Sequence, residues 1–282
     1  MPHHAPLKMD SSYTQLHQAE SRLADKADKH HIYQLMVQSP EADINLMQTI
    51  YRSSTGRVGR HLREDFCGTG YTLSRWVAQD TSFSGEGFDI DPDPIKWGWY
   101  NNFAPLGDAA MRGKLHLKDV REPSLAAPDI RCAFNFSYWV FRKREEMLGY
   151  FTAAYEDLPE HGMFIIDVTG GTDSLSEEPF ESENGEISCI WQQQNYSPVN
   201  HSADLTIRFR FSDGSEIEPP YRYRWRVWTI PELQDLLTAA GFSSIEVWWQ
   251  GDEGDEFSSI DYQVTDKGRN DPCWVACIAA LK

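Results

Sequence analysis

The chain has no long apolar run. None approaches the roughly 18 residues that a membrane-crossing helix needs. The opening stretch "MPHHAPLKMDSSYTQLHQAESRLADKADKHH" is polar throughout, not a charged-then-apolar signal segment. These absences predict a cytoplasmic protein that neither enters nor anchors to a membrane. Basic residues are also scarce: 26 Lys and Arg stand against 43 Asp and Glu, for a net charge of −17. Nucleic-acid affinity rests on basic surface, so no nucleic-acid partner is expected. Cysteine is limited to Cys67, Cys132, Cys189, Cys273 and Cys277. An odd number scattered through apolar stretches predicts reduced thiols, not a disulfide framework. Cys273 and Cys277 have no second pair, and no histidine falls in an HExxH pattern, so no metal site is predicted.

What is there is globular and aromatic-rich: 282 residues, 40% hydrophobic and 13% aromatic. That length favours one large core with an insertion over two equal domains. Residues 1–30 read as a flexible lead-in and 31–57 as a helical lid segment, with apolar residues at Ile32, Leu35, Met36, Ile44, Leu46, Met47 and Ile50. From residue 58 to 168 strands and helices alternate. "FSGEGFDI", "IRCAFNF" and "MFIIDV" are strands, and "REEMLGYFTAAYEDL" is an amphipathic helix. This rhythm predicts a mostly parallel sheet with helices on both faces. It breaks over 169–228, where "EISCIWQQQNY", "ADLTIRFRF" and "YRYRWRVW" predict an antiparallel insertion on the substrate side. It resumes over 229–282. Between the closing strands, "GDEGDEFSSIDYQVTDKGRNDP" reads as a long polar loop.

The chemistry lies in "HLREDFCGTGYTLSRWV", where Glu64 and Asp65 precede Gly68 and Gly70. A phosphate loop of the form GxxxxGK[ST] is absent. The third glycine of a dinucleotide fingerprint is replaced by Leu73, and acids sit badly beside a pyrophosphate. A ligand with a cationic group and no phosphate at the loop remains. S-adenosylmethionine, with its ammonium and sulfonium, fits, and Glu64 becomes an asset. Asp89 ends the second strand, where an acid can hold both ribose hydroxyls. Ile90 is placed to pack on adenine, and Asp119, ending the third strand, to accept from the adenine amino group. For each acid alone the plainer reading is a helix cap or a solvated loop.

With these residues in view, the chain resembles the class I S-adenosylmethionine-dependent methyltransferases. "EDFCGTG" matches their first motif, with Phe66 where the family has its first glycine. "GEGFDIDP" matches the second-strand motif and "KDV", which includes Val120, the adenine motif. "REDFCGTG", "NFSYWVF" and "WRVWTIPEL" resemble a bacterial branch with poorly defined substrates. The resemblance covers about residues 30–282. It implies a Rossmann-like, mostly parallel seven-stranded sheet with its last strand antiparallel. It also implies cofactor contacts from Glu64, Phe66, Gly68, Gly70, Asp89, Ile90, Asp119, Val120 and Asn135.

The expected activity is in-line methyl transfer to nitrogen or oxygen of a small molecule. The alternative is a catalytically silent cofactor-binding interaction or regulatory protein. The fourth-strand tip faces the methyl in this fold, which makes Asn135 and Tyr138 the catalytic candidates. Asn135 would orient an amine, and Tyr138 would hydrogen-bond or wall the pocket. Both also read as part of a core strand running into a helix. Asp167 reads as a loop-holding carboxylate before catalysis. Tyr33 and Trp139 are substrate-side candidates. Alternation puts Arg208, Arg210, Arg222, Arg224 and Arg226 on one face of the insertion. They are expected either to pair with the glutamates between Glu177 and Glu186 or to meet an anionic substrate or partner, with Arg224 and Arg226 as its contacts. The oligomeric state is left open, a homo-oligomer included.

Overall fold

Two helices form over residues 31–57, the segment read as helical. The computed structural model describes residues 21–251 and 262–282. The expected lead-in therefore lies outside the described residues up to residue 20, as does part of the predicted polar loop. After a single turn, α1 (Leu23–Lys26), Asp28 caps α2 (Lys29–Val37) by accepting from the N–H groups of His30 and His31. Pro40 then ends the extended link and opens α3 (Pro40–Thr55), because the residue before proline disfavours helix. Gly56, left-handed, stops α3.

The α/β rhythm follows as expected: β1 (His61–Asp65), α4 (Tyr71–Gln79), β2 (Ser84–Asp89), α5 (Pro92–Gly98), β3 (Gly113–Leu117), β4 (Ile130–Ala133), α6 (Arg144–Asp157) and β5 (Met163–Gly170). The insertion supplies β6 (Phe180–Asn184), β7 (Ile187–Gln194), β8 (Ser202–Phe211) and β9 (Tyr221–Arg226). The chain returns through α7 (Ile230–Ala240), β10 (Ser244–Gln250), β11 (Tyr262–Val264) and β12 (Trp274–Leu281). The main sheet has the order β11-β10-β12-β5-β4-β1-β2-β3. β1 to β5 run parallel, and β12 lies antiparallel between β5 and β10.

The sheet thus has eight strands where seven were expected. The additional strand is β11, which pairs antiparallel with β10 inside the segment read as a polar loop. Its three residues are too short for a period-2 pattern to show. The insertion is a separate four-stranded antiparallel sheet, β6-β7-β8-β9, and its first strand forms from the acidic stretch. Among the described residues no helix is long and apolar enough to cross a membrane. All five cysteines are free thiols.

Each face of the sheet has its own core. α3 and α4 cover one face, where Met47, Ile50, Leu73 and Trp76 meet Leu62, Cys132, Ile165 and Cys277. α6, α7 and the insertion cover the other, where Tyr150, Phe151, Leu237, Ile207 and Trp225 meet Phe88, Ala133, Phe164 and Ile166. The second face holds a buried ion cluster. Arg63 and Arg131 are register partners on β1 and β4, with side chains 0% exposed. Asp65 Oδ1 accepts from Arg63 Nε at 2.8 Å, and Asp65 Oδ2 accepts from Arg131 Nε at 2.7 Å and from the Tyr150 hydroxyl at 2.7 Å. The Val120 carbonyl accepts from Nη2 of both arginines, at 2.6 and 2.5 Å. Asp157 closes the cluster, its Oδ2 standing 3.1 Å from Arg63 Nη1. Removing one partner of such a cluster leaves buried charge without compensation. Asp65→Asn is expected to lose about 3–5 kcal/mol of stability, read from urea unfolding midpoints at constant slope. A loss below about 1 kcal/mol would show that the arginines find other acceptors.

Candidate active site

The C-terminal strand tips carry the polar chemistry. After β1 the chain turns sharply. Cys67 N–H donates to the Phe88 carbonyl at 3.0 Å, and Gly70 N–H donates to the Cys67 carbonyl at 2.7 Å. Gly70 is left-handed (φ 62°), and a Cβ there would stand 2.6 Å from Leu115 Cδ2, so a side chain would be strained and Leu115 would have to shift. Gly68 is left-handed too (φ 53°), but a Cβ there would meet nothing within 4 Å, so the space beside it is open to a ligand. Phe66 holds the same left-handed conformation (φ 55°) where the resembled motif has glycine. Its ring packs against Phe141 and Tyr150, with centroids 5.9 and 5.8 Å away. The backbone shape survives, at a steric cost of roughly 1–2 kcal/mol.

The acids at the tips play different parts. Glu64 Oε2 accepts from Leu73 N–H in the first turn of α4, at 3.0 Å. Burial pushes this carboxyl up to about 8, against that N–H and helped by the nearby charge of Asp43. Asp89 ties two loops: Oδ2 accepts from Gly68 N–H at 2.8 Å and Oδ1 from Asp91 N–H at 2.9 Å. Burial raises its pKa as well. Ile90 beside it is 73% exposed. Asp119 lies in the fork of Arg121, with contacts of 2.9 and 2.6 Å, and this ion pair lowers its pKa. Val120 is buried, and its carbonyl belongs to the arginine cluster.

At the β4 tip, Asn135 and Phe136 are consecutive left-handed residues, at φ 57° and 54°. Asp167 on β5 holds them there. Its Oδ2 accepts from Asn135 N–H at 2.7 Å and its Oδ1 from Phe136 N–H at 3.0 Å. Burial raises Asp167 to about 7 in spite of these donors. Tyr138, a catalytic candidate from the sequence, is buried, and its hydroxyl donates to the Asp167 carbonyl at 2.7 Å. That places it in the support of the tip, with its proton already committed. Strain of this kind concentrates at functional sites, and here three non-glycine left-handed residues share the tips of β1 and β4.

α2 lies across the glycine loop. Gln34 Nε2 donates to Thr69 Oγ1 at 2.7 Å, Trp97 Nε1 donates to Asp28 Oδ2 at 2.6 Å, and Lys29 pairs with Asp93 at 2.9 Å. Tyr33 faces the insertion, 4.8 Å from the Tyr221 ring. Trp139 meets Trp225 of β9 edge-on at 5.6 Å. The structure therefore gathers Tyr33, Trp139 and the β4 tip along one border with the insertion. Arg224 and Arg226 lie on the other face of that sheet. Arg224 pairs with Asp204 at 3.3 Å, and Arg226 pairs with Glu232 at 2.7 Å. Arg208 and Arg210 reach Glu216 at 3.6 and 3.0 Å, and Arg210 reaches Glu181 at 3.7 Å.

The hollows of the surface do not locate the site. One of about 440 Å³ is lined by Arg22, Asp213 and Glu216, and one of about 320 Å³ by Tyr196, Trp228 and Trp274; neither lining includes Gly68, Asp89 or Asn135. Two contributors escaped the sequence reading. Gln34 gave no signal, being one polar residue on a polar helix. Asp43 did: with Met47 and Ile50 it follows the i, i+4, i+7 spacing of an apolar stripe, where an acid is out of place.

The strand order and the glycine loop at the tip of β1 define a Rossmann-like fold of the kind found in S-adenosylmethionine-dependent methyltransferases. No family model matches the chain, and no curated protein matches it in sequence. Solved structures do match. One is an S-adenosylmethionine-dependent methyltransferase from Clostridium acetobutylicum, with TM-score 0.64 and 15% identity over 89% of this chain and 96% of that one. DesVI of Streptomyces venezuelae is similar at TM-score 0.63 and 14% identity, over 91% of this chain and 98% of its own. CalS10 from Micromonospora echinaspora, an amino pentose methyltransferase solved with S-adenosylmethionine bound, is similar at TM-score 0.58 and 14% identity, over 99% of both chains. At these identities the likeness establishes the fold.

The raised carboxyls set a pH dependence. Glu64 at about 8, and Asp43 and Asp167 at about 7, hold protons in the folded chain that the unfolded chain has already released. The folded state is favoured by these groups below the ordinary carboxylate range of about pH 4. That advantage falls as pH rises from there through about 8. Urea midpoints at constant ionic strength are expected to decline from pH 5.5 to 8.5 (a window of about three units around these values). A midpoint rising across that window would contradict the three assignments.

Proposed function

We propose that the chain is an S-adenosylmethionine-dependent methyltransferase acting on a small-molecule acceptor. The observation that carries this reading is the strand-tip edge itself. An open glycine cradle at Gly68 stands beside Asp89, with Glu64 buried and Asp167 half-buried along the same edge. A phosphate-bearing ligand gains nothing from acids that burial keeps protonated, whereas a ligand with an ammonium and a sulfonium favours their charged forms and is held by them. The residues present therefore fit the cofactor. Gly68 and Gly70 let the backbone approach its amino-acid end. Asp89 accepts from the ribose hydroxyls with the lone pairs that Gly68 and Asp91 leave. Ile90 offers an exposed apolar face to adenine. Asp119 and Val120 border adenine, with Asp119 less free because Arg121 occupies it. Asn135 lines the methyl end.

When bound, the cofactor supplies an activated methyl group. The chain's part is to align the acceptor and exclude water. α2 closes over the loop through Gln34 and Thr69, and Tyr33 and Trp139 wall the insertion side. Asn135, held by Asp167 with its side-chain amide free of partners among the described residues, orients the nucleophile. Arg224 and Arg226, already paired on the outer face of the insertion, have no part in this reading.

Calorimetry with S-adenosylhomocysteine tests the assignment. Asp89→Ala is expected to weaken binding by roughly 10- to 150-fold, since a charge-assisted hydrogen bond contributes about 1.5–3 kcal/mol. Asp119→Ala is expected to weaken it by less than about threefold, because Arg121 already takes most of that carboxylate. Undiminished affinity in Asp89→Ala would falsify the cofactor placement. Binding without methyl transfer to any component of a cell extract would favour the silent alternative.

A further inference from the structure

The apolar face of α3 contains an acid. Asp43 stands one turn before Met47, which is buried with Cys132, Ile165 and Cys277 against the sheet. Residues four apart share a helix face, so Asp43 is on the sheet-facing side in the first turn of α3. The far end of that helix lies beside the strand starts, where Tyr51 packs near Gly59. Its first turn therefore lies at the strand tips. The sheet presents its own acids on this face. Side chains alternate along a strand. Glu64 lies two residues past Leu62, and Asp167 two past Ile165, and both of those residues pack under α3. Cys132 is the register partner of both Glu64 and Ile165 and lies between them. Three carboxylates from three elements thus gather over β4, next to Asn135.

They are not equally committed. Both oxygens of Asp167 accept backbone N–H groups, and Glu64 has one oxygen on Leu73. Among the described residues the Asp43 carboxylate has no hydrogen-bond donor and no cation. Burial, and after it the like charge of Glu41 on the same helix, push it up to about 7. Its own charge is felt across the edge, raising Glu64, Asp167, Cys132, Cys277 and Tyr262. Asp43 is half-buried; a carboxylate held partly out of water with no partner is costly, and the helix N-terminus relieves only part of that cost.

We infer that the methyl acceptor is an amine whose ammonium docks against Asp43, and that Asp43 takes its proton. The inference rests on the methyltransferase reading. In the step, an N–H bond of the ammonium breaks and an O–H bond forms on the Asp43 carboxylate. The electron pair stays on nitrogen, which leaves a neutral amine as the nucleophile. A carboxylate of this basicity suits an ammonium, with a pKa of about 10. It suits an alcohol poorly, because a hydroxyl is nearly as weak an acid as water, at about 15.7.

Sinefungin tests this without turnover, because it carries an amine where the cofactor carries its transferable methyl. Wild-type protein at pH 7 is expected to bind sinefungin about tenfold or more tightly than S-adenosylhomocysteine, as a charge-assisted contact provides. Calorimetry in two buffers of different ionisation enthalpy should show proton release on binding. Asp43→Asn is expected to erase both the preference and most of the proton release, while S-adenosylhomocysteine affinity stays within about twofold. The variant removes an unpaired, half-buried charge, so its melting temperature at pH 8 should not fall. Asp43→Ala provides a second variant if the amide disturbs packing. Unchanged sinefungin affinity in both variants, or equal losses for both ligands, overturns the role of Asp43. Failure of wild-type protein to bind either ligand overturns the methyltransferase reading instead.

Discussion

Two buried guanidiniums share one carboxylate, and the candidate site is built on that arrangement. Arg63 and Arg131 sit side by side on β1 and β4, the two strands whose tips carry the left-handed turns. Each charge is costly out of water and acceptable only with its partners in place. Asp65, Asp157 and the Val120 carbonyl supply them, from β1, α6 and the β3–β4 connection, and the Tyr150 hydroxyl of α6 donates to Asp65. The Arg63 guanidinium also lies over the Phe88 ring, 3.7 Å from its centroid, which draws in β2. The cluster joins the elements that present the glycine loop, Asp89 and the loop of Asp119 and Val120. The adjacent acids Glu64 and Asp65 therefore do opposite work. Strand alternation sends Asp65 down into the arginines and Glu64 to the other face, toward α3 and α4.

On that other face the governing constraint is unmatched negative charge. The strand tips gather carboxyls under helices that carry no cation to meet them, and burial lifts their proton affinities toward neutrality. Perturbed groups, together with backbone strain, mark functional ground. The strain is directly visible in Phe66, where a bulky residue adopts the conformation that glycine takes most easily, and its ring is repaid in contacts with Phe141 and Tyr150.

The insertion works as a two-faced sheet. Leu205, Ile207, Phe209 and Trp225 point to the core and meet Tyr33, Phe136 and Trp139. The alternate residues on β8 and β9 carry five arginines outward in a chain of net charge −17. Acids from the insertion and from α7 answer four of them: Glu181, Asp204, Glu216 and Glu232. Pairs of this kind at a partly exposed face add little stability.

The sequence by itself determined the α/β rhythm, because apolar periodicity is local and each run of "IRCAFNF" or "MFIIDV" type carries it. It determined the glycine loop and the strand-end position of Asp89, since turn chemistry and strand ends are written in neighbouring residues. It also determined that the five arginines share a face, which follows from alternation alone. Only the tertiary structure decided which acid does what. Asp65 and Glu64 are adjacent in sequence, yet one is answered by Arg131, 66 residues away, and the other by the first turn of α4. Tyr138 looked like a wall of the pocket until Asp167 took its hydroxyl. Asp119 looked free until Arg121 folded back on it. β11 was too short to show a period, and its partner strand decided it. Asp43 showed only as an acid on an apolar stripe. Its meaning depends on Glu64 and Asp167 arriving beside α3 from two strands, and long-range proximity of that kind is set by packing, not by any local pattern.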